Sequence, residues 1–92
     1  MLDVKSIIVR NKEILASDMD GEVVMMHIES GKYYNLGKIG GIIWNMLEEP
    51  LAVEGLIDQL LDLFQVGKEQ CVSDTLPFLQ QMEQQGLIKV LQ

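Results

Sequence analysis

Residues 18–36 read DMDGEVVMMHIESGKYYNL, and their spacing decides how the rest of the chain is laid out. The Asp18-Met-Asp-Gly21 segment, with Asp20-Gly21 at its end, suits a tight turn because glycine tolerates positive φ. It separates Ile14–Ser17 from Glu22–Ile28, and Glu29-Ser-Gly-Lys32 turns the chain again into Lys32–Leu36. Three short strands with short links make an antiparallel meander, with Glu22–Ile28 in the centre and Lys32–Leu36 at an edge. Within that edge strand a two-residue period puts Tyr34 and Leu36 on one face and Tyr33 and Asn35 on the other.

After Leu36 the period changes. Ile39, Ile43, Met46 and Leu47 fall on one helical stripe, and Val53, Leu56, Ile57, Leu60 and Phe64 on another, with Pro50 between the two helices. Gly67 marks the next break, and a third helix runs from about Lys68 to Gln85, where Gly86 takes the position a helix C-terminus favours. On that helix Val72, Leu76 and Leu79 point to the core, while Cys71, Thr75, Phe78 and Met82 form an adjacent strip. Pro77 is expected on the solvent side, kinking the helix or splitting it in two. Leu87–Leu91 reads as a short final strand or tail. The expected fold is therefore α+β: a three-stranded antiparallel sheet followed by three helices, forming a single domain over residues 1–92.

Ninety-two residues suffice for a core without staples, since a chain of this size buries about 60–68% of its unfolded surface. No apolar run approaches the roughly 20 residues of a membrane span, and the first residues carry no secretory signal, so a cytoplasmic address is expected. A single cysteine agrees with a reducing compartment. Acidic residues number 14 against 7 bases, and residues 39–88 hold eight carboxylates against Lys68 alone. Such a surface repels phosphates, which argues against nucleic acid as a partner and against a winged-helix transcription regulator.

Residues for catalysis are scarce. Cys71 and His27 are the sole conceivable Cys/His pair, and each reads better as a packing residue. One thiol and one imidazole are too few for a zinc site, and Gly37-Lys-Ile-Gly40-Gly41 lacks the spacing of a phosphate loop. The expectation is a protein that is not an enzyme and has no metal or cofactor. Glu54, Asp58 and Asp62 recur every four residues as a solvated helix face. What the sequence does offer is an edge strand, Lys32–Leu36, whose unpaired backbone groups a peptide can adopt, next to an apolar helix strip that supplies pockets.

The order DGEVVMMHIESGKYYNL, IGGIIWNML, AVEGLIDQLLDLF and DTLPFLQQMEQQGLIKV resembles the PqqD-like family, over roughly residues 13–90. These are RiPP recognition elements, which bind the leader of a ribosomally made precursor peptide, and the likeness is greatest to the stand-alone leader-binding proteins of lasso peptide biosynthesis. The resemblance implies a winged helix-turn-helix-like fold in which the leader adds as a strand beside Lys32, Tyr33, Tyr34, Asn35 and Leu36. It also implies that the leader rests against the third helix, on Cys71, Asp74, Thr75, Phe78 and Met82. The implied partner enzyme is a transglutaminase-like cysteine protease that removes the leader, or, from the wider family, a radical SAM enzyme. Ala52 stands where the family places a capping Thr or Ser, so the first turn of the second helix is expected to fray; Gly37 replaces a common asparagine.

Overall fold

The computed structural model describes residues 2–20 and 22–91. Its elements are β1 (Ile7–Arg10), β2 (Ile14–Met19), β3 (Glu22–His27), β4 (Tyr33–Asn35), α1 (Gly37–Met46), β5 (Leu51–Ala52), α2 (Val53–Leu63), α3 (Lys68–Gln84) and β6 (Ile88–Val90). The α+β class and the central meander are those expected, with order β2-β3-β4 and all pairs antiparallel. The winged-helix label describes this arrangement only loosely. Strand β2 runs two residues further than Ser17, pairing Met19 with Glu22, so the loop shortens to residues 20 and 21. Asp20 takes φ +57°, a value that suits the first position of a tight hairpin turn; Gly21 lies outside the described residues.

A second sheet, ordered β5-β1-β6, was not foreseen. Ile7 and Ile8 pair with Ala52 and Leu51, while Ile8, Val9 and Arg10 pair with Val90, Lys89 and Ile88. This sheet changes how α2 begins. Ala52 offers no side-chain cap, yet the N–H groups of Val53 and Glu54 donate to the carbonyls of Ser6 and Val4, both at 2.9 Å. Those orphan donors are thus satisfied by the N-terminal segment, which removes the reason to expect fraying.

Helix α1 lies on β3 through Gly41, where a Cβ would stand 2.9 Å from Val23 Cγ2. The core collects Ile8, Met25, Ile43, Leu47, Leu56, Ile57, Leu79, Met82, Leu87 and Ile88, all at or below 1% exposure. Two stripes differ from expectation. Ile39 is exposed and Met46 half-buried, so only Ile43 and Leu47 of the α1 stripe are core. On α3 the buried face is Cys71, Thr75, Leu79 and Met82, whereas Val72, Leu76 and Phe78 are half-buried. Thr75 can occupy that face because its hydroxyl meets Cys71 Sγ at 3.8 Å.

Pro77 sits inside α3 without splitting it; the residue is exposed, as is Ser73, whose carbonyl loses its partner where water can replace it. The helix ends in a Schellman motif. Gly86, at φ +77°, donates to the Glu83 carbonyl at 3.0 Å, and Leu87 donates to the Met82 carbonyl at 2.9 Å. Met82 and Leu87, both fully buried, supply the apolar contact that accompanies it.

Candidate functional site

The free edge of β4 follows from the hydrogen-bond pattern of its neighbour. His27 donates its N–H to the Lys32 carbonyl at 2.9 Å, so odd-numbered residues of β3 face β4, and Tyr34, the partner of Met25, turns its backbone inward. The N–H and C=O of Tyr33 and Asn35 point the other way, toward an edge where the sheet stops. That edge is short. Asn35 Oδ1 accepts the Gly37 N–H at 3.0 Å, and Gly37 at φ +74° turns the chain into α1, ending the strand.

Side chains follow the two-residue period. Tyr34 shares the inner face with Met25 and, like Leu36, is half-buried against the core. Tyr33, across from Met26 on the outer face, is 71% exposed, and Lys32 and Asn35 are exposed as well. Beside the edge, α1 starts close under Leu36: a Cβ at Gly40 would collide with Leu36 Cβ and would touch Phe78 Cζ at 3.4 Å. Phe78 therefore reaches from α3 to the junction of β4 and α1.

Next along α3 lies a pocket of about 230 Å³, lined by Ile39, Leu60, Phe64, Val66, Cys71, Asp74 and Thr75. Cys71 and Thr75, each 7% exposed, are buried against it, while Ile39 and Val66 remain 45% and 48% exposed. Asp74 is the one charged group among these lining residues, and its carboxylate accepts two bonds from Gln70 Nε2 at 2.9 and 3.0 Å. The site thus offers backbone donors and acceptors along one margin, an apolar cavity beside it, and one carboxylate at the cavity.

Of the residues named from the sequence, Lys32 to Leu36 form the strand margin, and Cys71, Asp74 and Thr75 line the pocket. Phe78 stands between the two groups. Met82 does not join them: it is wholly buried under the C-terminal turn of α3, where only core neighbours reach it. Sequence reasoning missed Ile39, Leu60, Phe64 and Val66 as lining residues. The first three fall on the core stripes that the sequence predicts, and only the gap between α1 and the α2–α3 pair reveals their other face. Cys71 and His27 stand apart. The His27 ring packs on Gly86, whereas Cys71 is 15 residues earlier, about 22 Å along the helix.

The family model for coenzyme PQQ synthesis protein D (PqqD) matches residues 22–88. Among solved structures, TbiB1 in complex with the TbiA(beta) leader peptide is similar at 26% identity and a TM-score of 0.82, over 88% of this chain and 94% of that one. A lasso peptide synthetase B1 complexed with the leader peptide shares the fold at 17% identity and a TM-score of 0.71, over 89% and 96% of the two chains. No curated protein sequence matches. The matched segment takes in the β3–β4 edge and all three helices, and on that match the chain belongs to the PqqD family.

Proposed function

We propose that this chain is a single recognition domain, not an enzyme, that binds the leader of a ribosomally made precursor peptide by strand addition beside β4. It then delivers that peptide to a separate maturation enzyme in the cytoplasm, the leader protease of a lasso peptide pathway. The observation that carries the reading is the open edge at Tyr33 and Asn35 next to an apolar pocket, in a fold shared with B1 proteins bound to leader peptides. Strand addition takes affinity from main-chain bonds and specificity from pockets for alternate side chains. Lys32–Leu36 is the template, and Phe78 and the Cys71–Asp74–Thr75 pocket hold side chains of the leader.

Delivery acts by raising the local concentration of the precursor at the protease. The test is to add the purified chain to the protease and precursor encoded beside its reading frame. Cleavage accelerates, and a precursor tethered covalently to the protease no longer needs the chain. Hydrolysis of the precursor by this chain alone, or an unchanged rate in its presence, refutes the proposal.

A further inference from the structure

A strand added beside β4 brings two rows of side chains, and the pocket accounts for one of them. Opposite Tyr34 a leader side chain falls on the inner face, with Leu36 and Phe78. Opposite Tyr33 and Asn35 it falls on the outer face, whichever way the leader runs. That outer face is ordered in rows across the sheet. Leu15 pairs with Met26 and Met26 with Tyr33, so three apolar side chains stand side by side from β2 to β4. In the next row Ser17 pairs with Val24 and Val24 with Asn35, polar at both ends. Leu15 is 56% and Tyr33 71% exposed, and with Ser17, Val24 and Met26 they line an open groove of about 270 Å³ that has no charged residue in its walls. The apolar row stops at the open edge, where Tyr33 shows most of its side chain to solvent.

We propose that Tyr33 is a specificity-determining residue: its ring receives the side chain of the leader residue paired with it on the outer face, and selects an aromatic or β-branched apolar one. The inference rests on strand addition at β4 and deepens it. Tyr33 turns its own N–H and C=O to the edge, so the bonds that hold the leader there also fix the neighbouring side chain, about 4.5–5.5 Å away between Cβ atoms. A side chain at that place extends the Leu15-Met26-Tyr33 row by one member. It loses water on the Tyr33 side, where nothing in the row offsets a charge. Beside Asn35, two leader residues away, the row ends in a polar group and an apolar side chain gains less. Adjacent leader positions are thus read on opposite faces, one by the pocket and the next by Tyr33.

An alanine scan of a synthetic leader, taken from the precursor encoded beside this reading frame, tests it by isothermal titration against the wild type, Tyr33→Ala and Phe78→Ala. Tyr33 is exposed on an edge, so Tyr33→Ala should keep the far-UV circular dichroism spectrum. One leader position should lose about 1.4- to 5-fold in affinity against the wild type and Phe78→Ala but nothing against Tyr33→Ala. Tyr33→Phe, which keeps the ring, should bring that loss back. An adjacent position, facing the pocket, should couple to Phe78 instead. A leader that binds the wild type with every position indifferent to Tyr33→Ala overturns this inference and leaves strand addition standing. So does an unchanged scan in which sedimentation shows Tyr33→Ala breaking a dimer, which gives the face to a second copy. A leader that does not bind the wild type overturns the recognition reading itself, and this inference with it.

Discussion

Replacing Tyr33 and Tyr34 by proline, one at a time, separates binding from folding, because their N–H groups point in opposite directions. Tyr33 faces the open edge and Tyr34 faces Met25 in the ladder. Proline at Tyr33 removes one donor to an added strand and none from the sheet; a net hydrogen bond is worth about 0.5–1.5 kcal/mol, so the leader should bind about 2- to 12-fold more weakly. Stability should stay near that of the wild type, since proline is tolerated at a solvent-facing edge. Proline at Tyr34 strips a donor from the Met25 pair, and the carbonyl of the wholly buried Met25, left unsatisfied, costs about 1–3 kcal/mol. At about 4–8 °C per kcal/mol for a domain of this size, that is a fall in Tm of several degrees or more. Isothermal titration with a synthetic leader, paired with thermal melts, reads both quantities, and Tyr33→Ala accounts for the lost ring. The complementary scan N-methylates the leader, which should lose affinity at every second position. Wild-type affinity in a folded Tyr33→Pro protein, or a leader response with a three-to-four-residue rhythm, would refute strand addition at β4.

Phe78→Ala should weaken leader binding by about 1–2 kcal/mol in a protein that remains folded, whereas Met82→Ala should cost about 2–5 kcal/mol of stability by opening a core cavity; titration and denaturant melts tell the two apart. Asp74→Asn should reduce affinity for a leader that carries a nearby base, and the difference from wild type should shrink as salt rises in the same titration. Gly41→Ala should destabilise the fold by about 1–3 kcal/mol, measured by urea unfolding, because its Cβ would press on Val23 at 2.9 Å.

The meander and the helices were legible in the sequence because their signals are local: a two-residue period from Glu22 to Leu36, a helical one after it, and turn residues between. The β5-β1-β6 sheet was not. Its strands are two to four residues long, and Ile8 finds its partners at Leu51 and Val90, so its register is fixed by packing between distant segments. On α3 the period gives two adjacent strips and points Val72 and Leu76 to the core, where the structure buries Cys71 and Thr75 instead. Hydropathy favours Val72 and Leu76 over Cys71 and Thr75, but it is the second pair that lines a pocket with Leu60 and Phe64 of α2 and its cap, and the Cys71–Thr75 contact makes that burial tolerable. The β4 margin could be named from the sequence, while the pocket beside it could not be outlined, since Ile39, Leu60 and Phe64 look like any core residues until three helices are placed around them.

The second sheet also fixes where the chain enters and leaves. Leu91 donates its N–H to the Ile7 carbonyl at 2.8 Å, and Asn11 donates to the Leu87 carbonyl at 3.0 Å, so the first and last strands run side by side in a layer separate from β4. A domain whose two ends meet can be spliced as a cassette into a surface loop of another protein, or rejoined end to end and reopened elsewhere. Grafted into a loop of an unrelated enzyme, this chain would be joined beside Ile7 and Leu91, at a sheet that shares no strand with the β2-β3-β4 ladder.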